Sequence, residues 1–203
     1  MGSSVVWLTG FELGTVCLST YAASASCGNR PHTPPNLTRF FARTQGTYSS
    51  TCYYFGESLS DELAAASEDG QAPPIGLVHT SFGGSTIEQW LDNATIAKCE
   101  GATLSPQNQE WHNQRVMPYV DMTVKGWVWY QGENDMHGYF GNSALNSGYG
   151  CMMQNLVAQW RQLWSTEEGT TDPNAPFGLV TLAPSGTEGG KSIGTMRYVR
   201  MYV

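Results

Sequence analysis

The 203-residue chain carries 17 acidic side chains against 10 basic ones, for a net charge of −7. That length suits a single domain able to bury its own core, and the acidic balance argues against nucleic-acid phosphates or anionic lipid as partners. Charged residues make up 13% of the chain, about half the usual share, and no run approaches the ~20 apolar residues a spanning helix needs.

Residues 1–45 show no clear period and read as an irregular N-terminal segment, with residues 46–203 as the folded domain. Val5 to Leu18 is fairly apolar and Ala23-Ser24-Ala25 follows it like a cleavage site. No basic n-region precedes that stretch, however, and Glu12 interrupts it. Pro31, Pro34 and Pro35 mark a linker over residues 28–36. Cys52, Phe55, Leu59 and Leu63 then recur at helical spacing, which predicts an amphipathic helix over 49–66. Pro74-Ile75-Gly76-Leu77-Val78-His79-Thr80, at a Pro-Pro stop, reads as a buried strand. A Gly83-Gly84 turn and a short helix from Ile87 to Leu91 follow. Residues 92–107 read as a loop and 111–120 as a weak helix. Val124 to Tyr130 is the strongest strand. Residues 134–148 read as a loop, 149–165 as a helix, 177–183 as another buried strand, and 192–202 as the start of a further helix. Alternating strands and helices imply an α/β domain: a parallel sheet with helices on both faces.

Five cysteines are present: Cys17, Cys27, Cys52, Cys99 and Cys151. No C-x-x-C pair suggests a metal site, and the odd number leaves at least one unpaired within the chain. Asn36-Leu37-Thr38 and Asn93-Ala94-Thr95 are glycosylation sequons.

In parallel α/β sheets chemistry collects where strands end. The first strand ends in Ser81-Phe82-Gly83-Gly84-Ser85. Its glycines can let backbone N–H groups face a ligand, as an oxyanion hole requires; they can equally form a plain connecting turn. The next strand ends in Gln131-Gly132-Glu133-Asn134-Asp135. Its amides could donate to an oxyanion and its carboxylates could orient a hydroxyl or a histidine. It also reads as a solvated loop start with turn-forming Asn and Asp.

Pro74 to Trp90, around Gly83-Gly84, resembles a signature block of the sialate O-acetylesterases. Lys125-Gly126-Trp127-Val128-Trp129-Tyr130-Gln131-Gly132-Glu133-Asn134 resembles that family's W-Y-Q-G-E block. Cys52-Tyr53-Tyr54-Phe55-Gly56, and Trp160-Arg161 followed by the strand at Phe177, are similar to its flanking stretches, in family order. One departure is Phe82, where the family usually has Trp.

The resemblance implies an SGNH-type (flavodoxin-like) three-layer α/β/α fold, here incomplete. It implies hydrolysis of acetyl esters on sialic acids or related sugars, with no cofactor, no metal and no membrane insertion. It also implies a secreted or lysosomal (endomembrane) location. By the same resemblance Gly84, or its neighbour Gly83, supplies an oxyanion N–H. Asn134 supplies an amide donor, with Gln131 as the competing one, and Glu88, Trp90 and Glu133 support or line the substrate site.

The family's nucleophile lies in an upstream G-Q-S-N block, and its Asp and His in a downstream D-x-x-H. Neither block occurs here, nor does a G-x-S-x-G elbow. The expectation is a partial reading frame. Among the histidines, His79 and His112 read as structural and His32 lies in the linker. His137, near Asp135, is the best substitute base. Ser81 and Ser85 lie beside the Gly-Gly turn with no base assigned to either. Two alternatives to an esterase are an inactive carbohydrate-binding module, stacking sugars on Trp90, Trp129 and Tyr130, and a fragment without function of its own.

Overall fold

The computed structural model describes residues 3–9 (as backbone), 49–135 and 146–182. Cys17, Cys27, the 28–36 linker, the Asn36 sequon, His32, His137 and the helix expected over 192–202 lie outside the described residues.

Strand β1 (Ser3–Thr9) falls within the segment read as aperiodic. Its residues are mostly strand formers, Val5, Val6, Trp7 and Thr9 among them. They do not alternate with polar residues, and the usual half-buried-strand signal is therefore missing. Helix α1 (Ser50–Ala66) starts where the Ser49 hydroxyl accepts from the Cys52 N–H, an N-cap that satisfies one of the orphan donors of the first turn. Strands β2 (Ile75–His79) and β3 (Gly126–Tyr130) match the two buried runs of the sequence. Strand β4 stops at Leu179, after three residues from Phe177, and among the described residues it pairs with β3 alone. Helix α3 spans Gly148–Trp164.

Sheet order is β2-β1-β3-β4. β1 runs antiparallel to both neighbours, with Val5 opposite His79 on one side and Val128 on the other. β3 and β4 are parallel. The parallel sheet expected from sequence thus holds for β3–β4, while the reversed β1 makes the whole sheet mixed. Because β1 opposes both β2 and β3, those two strands run the same way, and their C-terminal ends emerge at one edge of the sheet.

Apolar residues cover both faces. On one, Cys52, Ile75, Leu77 and Val128 pack with Phe55, Leu59 and Leu63 of α1. On the other, Trp127 and Trp129 of β3 join Trp160 and Trp164 of α3 in the larger cluster. Trp129 sits edge-on between Trp90 and Trp160, with ring centroids 5.7 and 5.6 Å away. The alternation along β3 (Trp127 and Trp129 to one face, Val128 to the other) is what the pleat requires.

Gly56 is where α1 comes closest to the sheet. A Cβ there would lie 2.5 Å from Cδ1 of Leu77. The helix-propensity gain of replacing glycine is at most about 1 kcal/mol, and overpacking a full core costs about 1–3 kcal/mol. Gly56→Val is therefore expected to lower the urea midpoint despite its better helix propensity. An unchanged or raised midpoint would contradict this close approach.

Two further elements lie in regions expected as loop or weak helix. Asn93–Ile96 forms one helical turn, α2, capped by Asp92, whose carboxylate accepts from Thr95 N–H at 2.6 Å. His112–Val116 is a π-helical turn that runs into a 3-10 turn at Met117–Tyr119. A disulfide joins Cys99, just after α2, to Cys151 in the first turns of α3. Cys52 is buried and takes no part in it.

Candidate functional site

Both candidate turns lie at the edge where β2 and β3 end. After β2 the chain passes through Thr80 and Ser81 into Phe82-Gly83-Gly84-Ser85. Gly84 has φ +84°, a conformation open to glycine and costly for most other residues. A Cβ at Gly83 or at Gly84 would meet nothing within 4 Å. Backbone conformation, not crowding, therefore accounts for glycine at 84, and the turn faces open space. The chain then enters a 3-10 turn at Ile87–Trp90, where Thr86 N–H donates to Gln89 Oε1 at 2.9 Å.

After β3, Gln131 and Gly132 lead into a 3-10 turn at Glu133–Asp135. Side chains from this turn reach across to the first one. The Gln131 amide donates to the Ser85 carbonyl at 2.9 Å, and Asn134 Nδ2 approaches the same oxygen at 3.5 Å. Asp135 accepts the Ile87 N–H, with its two carboxylate oxygens at 3.3 and 3.1 Å. The Gln131 amide also donates to Asp135. Residues 46 to 49 apart in sequence are thus tied into one corner.

The two competing amides sit differently. Gln131 is 1% exposed. Its amide nitrogen is engaged by Ser85 and Asp135, and its Oε1 accepts from the Tyr149 hydroxyl at 3.0 Å. That hydroxyl in turn receives the Trp129 indole N–H at 3.1 Å. Gln131 is thereby pinned from α3 and β3 below. Asn134 is exposed, and among the described residues its amide makes one long contact.

Trp90 is 1% exposed, and its Nε1 donates to Ser85 Oγ at 3.0 Å. It braces the Gly-Gly turn from within the core and offers no face to a sugar. Trp129 is 0% exposed, so the stacking surface expected at these two indoles is absent. Phe82 is exposed and stacks on Trp111, with centroids 3.8 Å apart. The Arg115 guanidinium lies 5.1 Å from the Phe82 ring and 5.2 Å from that of Trp111, within cation–π range. Sequence reasoning missed this Phe82–Trp111–Arg115 cluster, since its members are separated along the chain and show no common period.

Asp135 is fully buried. Burial raises its pKa to about 8, and nearby Glu88 and Glu133 push the same way against the hydrogen bonds from Gln131 and Ile87. Glu88 is half-buried and its carboxyl is also raised, chiefly by burial. Glu133 is half-buried beside it in the corner. His112 is buried, with Nδ1 3.2 Å from Asn113 Oδ1. Asn93 of the second sequon is partly exposed at the start of α2, while Thr95 is buried. No cluster of three or more metal-ligating side chains occurs among the described residues.

Residues 50–183 match the family described as "Carbohydrate esterase, sialic acid-specific acetylesterase". The sialate O-acetylesterase of Homo sapiens is 32% identical over 146 residues, covering 66% of this chain and 25% of that protein. The protein of the same name from Pongo abelii matches with the same identity and coverage. That of Mus musculus is 31% identical over 173 residues, covering 66% of this chain and 29% of its own length. The chain thus spans about a quarter of the length of the curated relatives it matches. No solved structure matches it.

Proposed function

Since this chain belongs to the sialic acid-specific acetylesterase family of carbohydrate esterases, we propose that it serves the removal of O-acetyl groups from sialic acids or related acetylated sugars. The strand-end corner would be its oxyanion-binding half. The observation that carries this reading is the convergence of Gln131 and Asn134 on the Ser85 carbonyl, directly beside Gly84. Hydrolysis of an acetyl ester passes through a tetrahedral carbon with a negative oxygen, which preorganised N–H donors stabilise. Gly84 and its neighbour Gly83 offer backbone N–H groups on an open turn, and exposed Asn134 offers a side-chain amide. Gln131, whose amide nitrogen is already engaged, holds the corner together. Glu88 and Glu133 flank it as contacts for sugar hydroxyls, and Trp90 supports the turn from beneath.

The finer fold assignment, a three-layer SGNH domain, is supported by apolar clusters on opposite faces of the sheet. A secreted or lysosomal location is supported by the Cys99–Cys151 disulfide, since such bonds persist in oxidising compartments. Among the described residues no helix is long and apolar enough to cross a membrane. The substrate would be a small or glycan-linked O-acetylated sugar.

The test is acetate release from 9-O-acetylated sialic acid. Asn134→Ala should lower kcat by about 10²–10³-fold, the usual loss for one oxyanion donor, with little change in KM and an unaltered melting temperature. Full activity in that variant, or no acetate release by the folded parent chain, would reject this reading.

A further inference from the structure

An exposed aromatic face stands at the rim where Trp90 and Trp129 offer none. Phe82 opens the Gly-Gly turn, and Phe82, Gly83 and Gly84 form an unbroken exposed run. Phe82 is 39% exposed. A lone apolar side chain at a surface needs no explanation. This one differs in being held at both ends.

The backbone end is held from the core. Ser85 Oγ donates to the Phe82 carbonyl at 3.0 Å and accepts from the buried Trp90 indole N–H at 3.0 Å. The ring end is held from the side. One face lies on Trp111, which is buried, with centroids 3.8 Å apart and planes inclined by 26°. The Arg115 guanidinium carbon is almost equally far from the two rings, at 5.1 Å from Phe82 and 5.2 Å from Trp111. A cation above the outer face of Phe82 would be much farther from Trp111 than from Phe82. Arg115 therefore sits at the edge of the stack and does not cover that outer face. Its Nη1 also approaches the carbonyls of Thr80 and Ser81 at 3.5 and 3.4 Å, which ties the stack to the end of β2.

An aromatic ring fixed in this way is a preorganised contact. Ordering a mobile side chain on binding costs affinity, and a ring already immobilised avoids that cost. The face of the ring carries the negative part of its quadrupole. It suits the face of a pyranose, which presents weakly positive C–H hydrogens. The surroundings favour that occupant over a purely apolar one. The same rim carries exposed Asn134 and half-buried Glu88 and Glu133, and an apolar wall beside a few fixed polar groups is the usual composition of a small-molecule site.

We infer that the outer face of Phe82 is the sugar-binding wall of the site, stacking on the pyranose ring of an O-acetylated sugar whose ester lies at the Gly84–Asn134 corner. This deepens the deacetylase reading and takes its ligand from it. Trp111 and Arg115 are positioning residues that hold the ring at the rim. Phe82 touches the sugar and not the reacting carbon, so its contact is the same in the ground state and the transition state. It therefore acts on KM and not on kcat.

The test is an NMR titration of the full chain with 9-acetamido-9-deoxy-N-acetylneuraminic acid, in which an amide replaces the ester and turnover is blocked. In the parent the ring protons of the sugar should shift upfield as they meet the shielding face of Phe82. Phe82→Ala should raise Kd at least about 10-fold, the loss expected for one buried aromatic contact, and should abolish the shift. Phe82→Trp should keep both the affinity and the shift. Phe82→Leu preserves bulk against Trp111 and should fold even where the alanine variant does not; it should lose the upfield shift. Thermal melts confirm which variants fold. An equal Kd in parent and folded Phe82→Ala, an upfield shift that survives in Phe82→Leu, or no binding by the folded parent would overturn the wall. The two readings fail separately. Acetate release from 9-O-acetylated sialic acid with the same KM in parent and Phe82→Ala removes the wall and leaves the deacetylase reading standing. Phe82-dependent binding of the amide without acetate release from the ester keeps the wall and removes that reading.

Discussion

Asp135→Ala should destabilise the domain by about 3 kcal/mol near pH 6, because the change takes the acceptor from the buried Ile87 N–H and one of two acceptors from the buried Gln131 amide, at costs of about 1–3 kcal/mol for each lost partner, besides opening a cavity. The companion Asp135→Asn keeps the volume and an acceptor oxygen but cannot ionise. In the folded chain the Asp135 carboxyl titrates at about 8, against an ordinary 3.8. Between those values the native state holds one proton more than the unfolded chain. Stability from this group is therefore fully present below about pH 4 and is lost as pH rises through 8. Glu88, also raised by burial, adds a slope of the same sign. Unfolding free energies of the parent should fall from pH 5 to pH 9, and those of Asp135→Asn should fall distinctly less. Equal slopes in the two proteins would mean that Asp135 is ionised throughout and that burial does not govern it. On the proposed deacetylase function, a corner that loosens as Asp135 ionises would also slow acetate release above pH 8, through kcat more than KM.

Asp135 also shows how far the sequence alone could be read. Its place in a G-x-N-D string directed attention to the strand end, and that strand end does meet the Gly-Gly turn. Its burial could not be foreseen, because the Ile87 N–H it accepts is 48 residues away and no local period encodes such a contact. The burial of Trp90, named as supporting or lining the site and offered as a stacking surface only in the carbohydrate-binding alternative, was hidden for a related reason: a four-residue 3-10 turn is too short for spacing to show which face is inward. The long helices and buried strands were legible, since Cys52-Phe55-Leu59-Leu63 and Trp127–Tyr130 each carry a clear pattern. β1 was not. Seven residues flanked by partners on both edges need no alternation, and nothing local states that Val5 will pair with both His79 and Val128. Antiparallel direction is likewise a property of the pairing and not of the strand.

Reducing the Cys99–Cys151 disulfide should cost about 4 kcal/mol, because the crosslink closes a loop 52 residues long and the chain-entropy estimate rises with the logarithm of that length. The position of the loop makes the consequence specific. It contains β3, the Gln131–Asp135 corner and the turns around His112, and therefore nearly every residue that meets the Gly-Gly turn from outside. At its closure Glu100 pairs with Ser147 in a short parallel bridge, and the Glu100 N–H donates to the Asn146 carbonyl at 2.9 Å. This contact sets the start of α3 and with it Tyr149, which pins Gln131. Double replacement with alanine should lower the melting temperature by several degrees or more and weaken the corner in the same step. Hydrogen exchange would then rise first at Gln131–Asp135 and only later in α1, which lies outside the loop against the opposite face of the sheet. A uniform rise across both regions would show that the disulfide stabilises the domain as a whole and has no particular hold on the site.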